Sequence, residues 1–177
     1  MTGRRRRQSG GNSLLEFTLV GIPLIFVLIS TFQMASAMWL YHTLAFAAKE
    51  GTRYAIVHGA NCSQNGNAYC IMVPDVATAI NRSATGLNPG QMTVTLTPSQ
   101  GSAITDTLAN LMNSSTYATT VWPPSSPTAT NAVGQPVTIS VQYPFNSGIS
   151  MFWPGTKPVD AVGRIGLPAS STDVIQF

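Results

Sequence analysis

Residues 10–48 read GGNSLLEFTLVGIPLIFVLISTFQMASAMWLYHTLAFAA, and this stretch decides the fold. From Phe17 to Ala48 it contains no Asp, Glu, Lys or Arg. The hydrocarbon core of a bilayer is about 30 Å thick, and roughly 20 apolar residues cross it as a helix. At 1.5 Å per residue, Phe17 to Trp39 rises about 34 Å. The stretch therefore predicts a membrane-spanning helix.

The residues before the helix predict its orientation. Four arginines, Arg4 to Arg7, precede the apolar segment, and an excess of basic residues marks the cytoplasmic side. A cleaved secretory signal is an alternative, because Ala35-Ser36-Ala37 resembles a small-residue cleavage site. Against it, the apolar pattern continues past Ala37, and Glu16 has no role in a disposable signal. An ionisable residue at the edge of a membrane segment is costly and usually functional.

The basic leader, Gly11, Glu16 and the apolar helix together resemble the class III signal of type IV pilins and pseudopilins. In that family a membrane aspartyl peptidase cuts after the glycine on the cytoplasmic side. The resemblance implies that Gly11 is the last leader residue and that Asn12 is the first mature residue. Glu16 is then the fifth mature residue, the position of the glutamate in that family.

A narrower resemblance follows from Leu15-Glu16-Phe17-Thr18-Leu19-Val20 with Pro23 shortly after it. This pattern resembles the TadE-like proteins of tight-adherence (Tad, Flp) pilus systems. In those proteins the helix continues into an A-x-x-G-x-R-Y-A segment, which is similar to residues 48–55, AKEGTRYA. The resemblance is firm over residues 10–58 and loose over the rest of the chain.

The resemblance implies a structural minor pilin or pseudopilin needed to assemble a Tad-type pilus for surface adherence. Gly11 and Asn12 would form the cleavage site, and Glu16, Phe17 and Pro23 would serve assembly. Its implied partners are the prepilin peptidase, the major and other minor pilins, the inner-membrane assembly platform and the lipid bilayer. The chain would cross the bacterial inner membrane once, with its N-terminus cytoplasmic and its C-terminal domain periplasmic, and either stay there or enter the pilus.

Two alternatives stay open at this point. The chain is either a pilus subunit or a membrane-anchored periplasmic binding or adhesion domain that never enters a filament. Cleavage between Gly11 and Asn12 favours the subunit, and an intact N-terminus or a cut after Ala37 favours the anchored domain.

Pro23 removes a helical hydrogen bond, and the loss of such a bond is tolerated in a membrane helix. The resulting bend is either a harmless kink or a feature used when subunits pack.

Composition argues against nucleic-acid binding and catalysis. The net charge of +3 is misleading, because four of the nine basic residues and no acidic residue lie in residues 1–11. The rest of the chain holds five basic against six acidic residues, a net charge of −1. It therefore lacks the basic patch of a nucleic-acid-binding domain. With no Walker loop, HExxH or convincing catalytic triad, we predict no enzyme, no cofactor and no metal.

Cys62 and Cys70 are the two cysteines of the chain, and both follow the helix on its predicted outer side. Two nearby cysteines in an oxidising compartment usually form a disulfide. A zinc site requires about four ligands, and His58 alone is nearby. We therefore predict a disulfide between Cys62 and Cys70.

The predicted fold class is α+β, with a leader at residues 1–11, a long helix at 12–58 and an extracytoplasmic domain at 59–177. In that domain the patterns predict a short helix at 76–83 and strands at 91–97, 135–143 and 159–165. Residues 99–134 are predicted as a long loop with a possible short helix at 103–112. Four aromatic residues are either a partner-binding surface or, preferably, packed in a core or against other subunits: Trp122, Phe145, Phe152 and Trp153.

Overall fold

The computed structural model describes residues 10–58, 71–124, 132–146 and 165–176, and for residues 10–12 the backbone alone. The chain divides into two units, Met1–Ala37 and Met38–Phe177. A single helix, α1, runs without interruption from Gly10 to His58 over 49 residues. In the described part of the first unit α1 is the only element. It begins two residues before the predicted start and ends at the predicted residue.

The second unit adds two short helices and a four-stranded antiparallel sheet to the end of α1. In chain order these elements are α2 (Val73–Ser83), β1 (Thr93–Thr97), β2 (Ile104–Thr107), α3 (Leu108–Asn113), β3 (Pro136–Phe145) and β4 (Ile165–Val174). The strands lie in the order β2-β1-β3-β4, and each neighbouring pair is antiparallel. The predicted α+β class, with a long helix and an antiparallel sheet in a pilin-like arrangement, is confirmed.

One face of the sheet forms the core with α1 and α2. Alternate residues of the two central strands are buried, as their alternating sequence predicts: Val94, Leu96, Val137, Ile139 and Val141. The stripe of α1 that is buried consists of Leu44, Ala47, Ala48, Gly51, Thr52, Ala55 and Ile56. Val57 lies off this stripe and is 39% exposed.

Helix α2 starts three residues earlier than predicted. Pro74 and Asp75 lie in its first turn, where both residue types are favoured. The Asp75 carboxylate Oδ2 accepts a hydrogen bond from the Met72 backbone N–H at 2.9 Å and so caps the helix start. The buried side chains are Val73, Val76, Ala77 and Ile80. Ala77 therefore belongs to the core, whereas Ala79 is half-buried.

The region from 99 to 134 contains more regular structure than the predicted loop. Instead of a helix at 103–112, residues 104–107 form β2 against β1, and α3 follows directly. Thr107 ends the strand and caps the helix, because its Oγ1 accepts a hydrogen bond from the Asn110 N–H at 3.3 Å. Trp122 is 1% exposed and belongs to the core, as preferred from the sequence.

The last strand also differs from its prediction. Residues 159–164 lie outside the described residues, and the strand that the structure describes is Ile165–Val174. It pairs with β3 along its whole length, from Pro136↔Val174 to Phe145↔Ile165. Phe145 is half-buried, whereas Phe152 and Trp153 lie outside the described residues.

Candidate functional site

The candidate functional site is the first half of α1. Its apolar side chains face outward within the chain, with exposed fractions of 77% for Phe17, 71% for Leu19 and 63% for Leu28. Helix α1 is long enough and apolar enough to span a membrane. Exposed apolar surface of this extent is unfavourable in water. A lipid or protein environment therefore fits this segment.

Hydroxyl side chains in this segment bond to the backbone of their own helix. Thr18 Oγ1 donates to the carbonyl oxygens of Leu14 and Leu15, at 3.1 and 3.0 Å. The same donation to the carbonyl four residues earlier occurs at Ser30, Thr31, Ser36 and Thr43, with distances of 2.6 to 2.9 Å. Polar groups in an apolar environment must be satisfied internally. These bonds let the segment carry hydroxyls without unpaired donors, a feature that the sequence analysis did not anticipate.

Glu16 lies in this apolar helix with an exposed side chain. Within the described part of the chain the ion pair that forms is Glu50–Arg53, at 4.0 Å, and it does not involve Glu16. The carboxylate therefore projects from α1 among apolar side chains without a described cationic partner.

Phe17 and Pro23 lie close together along α1. A Cβ at Gly21 would be 3.8 Å from Phe17 Cε1, so the Phe17 ring lies beside Gly21. Pro23 follows two residues later inside the helix and supplies no N–H to the preceding turn. The structure thus places the aromatic ring, the glycine and the proline on neighbouring turns. Their role in assembly stays a prediction.

The predicted cleavage site is at the start of α1. Gly11 and Asn12 both lie within the helix in the uncut chain. Neither the cleavage nor the start of the mature chain is tested by this geometry.

Cys62 and Cys70 lie outside the described residues, so their predicted disulfide also stays a prediction. In the described ranges no three His, Cys, Asp or Glu side chains group so as to hold a metal ion.

The AKEGTRYA segment at residues 48–55 has a specific packing role that the sequence analysis did not assign. A Cβ at Gly51 would lie 2.5 Å from Ile80 Cγ1 of α2 and 3.3 Å from Ile139 Cδ1 of β3. Only a residue without a side chain therefore allows this close approach. An isolated glycine inside a helical pattern is compatible with such a contact but does not identify the residues that it meets.

Thr52, the next residue, joins α1 to the outermost strand of the sheet. It is 1% exposed, and its Oγ1 lies 2.9 Å from the Ala48 carbonyl oxygen and 3.4 Å from that of Ser171. A second link joins the Gln176 N–H to the Ile56 carbonyl oxygen at 3.3 Å. The segment therefore attaches the helix to α2, β3 and β4.

Comparison with known proteins identifies the helix and leaves the rest of the chain unassigned. Residues 11–53 match the family described as TadE-like protein. No curated protein and no solved structure matches the chain. The family implies a role in Tad pilus biogenesis in association with the pilus machinery, and its members are in general structural rather than enzymatic.

Proposed function

We propose, from its membership of the TadE-like family, that this chain is a minor pilin or pseudopilin needed to assemble a Tad-type pilus used in surface adherence. The observation that carries the proposal is Glu16 on a long apolar helix within the matched segment, with no ion-pair partner among the described residues. The orientation follows from Arg4 to Arg7, which place the N-terminus in the cytoplasm. The domain after the helix would then be periplasmic until it enters the pilus.

Processing comes first in the proposed function. A prepilin peptidase would remove residues 1–11 and leave a new amine at Asn12. Gly11 suits this step because the absence of a side chain lets its backbone adopt the extended form that a peptidase cleft requires. Since Gly11 is helical in the uncut chain, the first turns of α1 would have to open in the peptidase.

Assembly would then use Glu16. A carboxylate at the bilayer centre costs about 2.5–3.5 kcal/mol on insertion scales and less near the interface. Pairing with the amine of a neighbouring subunit would offset this cost, and only a neighbour in the right axial register supplies that amine. Snorkelling of Glu16 to the cytoplasmic headgroups is the alternative. The assembly platform and the major and other minor pilins are the proposed partners.

Glu16→Ala separates the two alternatives in the native host. We expect normal expression, membrane insertion and leader removal, with loss of pili or of co-purification with the partner pilins. Glu50→Ala is the matched control, because it removes a glutamate from the same helix at a water-exposed ion pair. Cells with Glu16→Ala that assemble pili and adhere like wild type would establish snorkelling and remove the assembly role.

Gly11→Val tests the processing step by mass spectrometry of the N-terminus. We expect the variant to keep residues 1–11, because the branched side chain opposes the conformation that cleavage requires. Gly10→Val is the control, since it makes the same change one residue before the proposed junction. Normal cleavage of Gly11→Val would mean that the junction is elsewhere, and a cut after Ala37 would favour the anchored periplasmic domain.

A further inference from the structure

Among the residues that the structure describes, the face of the sheet opposite the core carries hydroxyl groups and no charged side chain. Side chains of a strand alternate between the two faces, so the residues between the buried ones point away from the core. We call this surface the hydroxyl face, and its residues are Thr93, Thr95, Thr97, Thr105, Thr107, Thr138, Ser140, Ser170 and Thr172. The other paired positions of this face are Gln142, Pro136, Pro144, Gly166, Pro168 and Val174, and no Asp, Glu, Lys or Arg lies among these positions.

The hydroxyl groups form rows across the strands. The register places Thr105, Thr95, Ser140 and Ser170 side by side across all four strands. With neighbouring strands about 4.8 Å apart, this row is about 14 Å long. Hydrogen bonds fix some of the side chains, with Oγ1 atoms 3.0 Å apart in Thr95–Thr105 and 2.8 Å apart in Thr138–Thr172. The face is thus an ordered array of hydroxyls.

A depression of about 420 Å³ lies on this face. Its lining consists of the polar residues Thr93, Thr95, Ser140, Gln142 and Ser170, the apolar residues Val141, Pro168 and Ala169, and Tyr41 of α1. Its size is within the range of small-ligand sites, which combine apolar surface with a few convergent polar groups. No charged residue lines it. Two other depressions of the described surface differ in this respect, because one includes Glu50 and Arg53 and the other Lys49 and Asp173.

We infer that the hydroxyl face, with Tyr41 beside it, binds a neutral polysaccharide. Serine and threonine hydroxyls each donate and accept hydrogen bonds, and the hydroxyls of a sugar do the same, so a row of them matches a glycan chain. The uncharged lining gives no attraction to an anionic polymer. Tyr41 adds an apolar ring with a polar tip, and such a ring packs against the C–H face of a sugar.

This inference adds a ligand to the proposed adherence and does not depend on pilus assembly. It is tested with the purified full-length protein in lauryldimethylamine oxide, a detergent without a sugar headgroup. The probes are cellohexaose, laminarihexaose and chitohexaose, with an alginate hexamer as the anionic comparison, and binding is measured by titration calorimetry. We expect saturable binding of at least one neutral hexasaccharide and at least tenfold weaker binding of the alginate hexamer.

Variants locate the site. Ser140→Lys places a charge in the middle of the row and should weaken binding by about tenfold or more, the equivalent of about one or two hydrogen bonds. Thr116→Lys is the matched control, because Thr116 is an exposed hydroxyl residue that does not line the depression. Tyr41→Ser should also weaken binding, and Tyr41→Phe should keep it. Circular dichroism checks that each variant is folded.

The proposal is overturned if no neutral hexasaccharide binds, if the alginate hexamer binds equally well, or if Ser140→Lys binds like wild type. Sedimentation measurements on the same samples test a second copy of the chain as the occupant. Self-association that Ser140→Lys abolishes, without sugar binding, would overturn the proposal in favour of that copy. Because purified protein is used, the result is independent of whether Glu16→Ala cells assemble pili.

Discussion

At the scale of single residues, Gly51 sets the distance between α1 and the rest of the core. Gly51→Ala places a methyl group 2.5 Å from Ile80 Cγ1, so either helix α1 or the Ile80 side chain must shift. Overpacking of this kind costs about 1–3 kcal/mol, and we expect the free energy of unfolding in urea to fall by this amount. Gly21→Ala is the control, because its Cβ meets only an ordinary 3.8 Å contact.

A double variant tests the contact itself. Ile80→Ala removes the atoms that the new methyl group would meet, and alone it should cost about 2–5 kcal/mol because it leaves a cavity. Combined with Gly51→Ala, the loss should be smaller than the sum of the two single losses. Additive losses would show that Gly51 matters for another reason, such as helix geometry.

We expect Asp106 to make the stability of the domain depend on pH. Its carboxylate accepts hydrogen bonds from Asn110 Nδ2 at 2.9 Å, the Thr107 N–H at 2.6 Å and the Tyr117 hydroxyl at 3.1 Å. The side-chain bond from Asn110 and the backbone bond from Thr107 lower the pKa of Asp106, and the bond from Tyr117 adds to them. Burial and Asp106 itself raise the pKa of Tyr117. The carboxylate thus links β2, α3 and the following turn.

A lowered pKa in the folded state stabilises that state above the unfolded pKa of about 3.9. This contribution is lost as the pH falls from that value through the folded pKa. We expect Asp106→Asn to have a lower thermal midpoint than wild type at pH 7 and the difference to shrink below about pH 4. A difference that stays constant from pH 7 to pH 3 would contradict the proposed titration of Asp106.

At the scale of elements, the attachment of α1 to β4 depends on the Thr52 hydroxyl. Thr52→Val keeps the approximate shape of the side chain and removes its hydrogen bond to the Ser171 carbonyl oxygen. We therefore expect a loss of about 0.5–1.5 kcal/mol in the free energy of unfolding. Thr43→Val is the matched control, since the Thr43 Oγ1 bonds to its own helix alone, at the Trp39 carbonyl. Equal losses for both variants would show that the bond within α1, not the one to β4, is responsible.

Strands with a strict alternation could be predicted from sequence, and the edge strands could not. The residues of β1 and β3 alternate between apolar and polar because one face is buried in a core. By contrast, β2 reads Ile-Thr-Asp-Thr and pairs with β1 alone, and four residues with a single apolar side chain are too few to show an alternating pattern. In β4, Pro168 and four successive polar residues hide the pattern, and proline is tolerated there because an edge strand has unpaired N–H positions.

The candidate site could be predicted in position but not in packing. The absence of charge between Phe17 and Ala48 marked the segment that is long and apolar enough to span a membrane, because hydrocarbon excludes charge over a fixed length. The close approach at Gly51 depends on where Ile80 and Ile139 lie in space. Sequence spacing carries no information on that distance, so the sequence could not assign the role of Gly51.

At the scale of the whole molecule, the leader at residues 1–11 determines the sign of the net charge of the protein. The full chain has a net charge of +3 and an isoelectric point near 9.1. Without residues 1–11 the net charge is −1, so we expect the protein from its host to focus below pH 7. Gly11→Val should focus near the basic value of the full chain. Basic focusing of the host protein would show that the leader is retained.

The continuity of α1 has a mechanical consequence. Because the helix runs from Gly10 to His58 without a linker, a pull on its apolar half is carried by the backbone to the buried stripe. From there the load passes through the Gly51 contact to α2 and β3 and through Thr52 to β4. Strands β3 and β4 share a ladder of ten residue pairs, which spreads tension over many hydrogen bonds. The folded unit would thus anchor the helix against a pulling force.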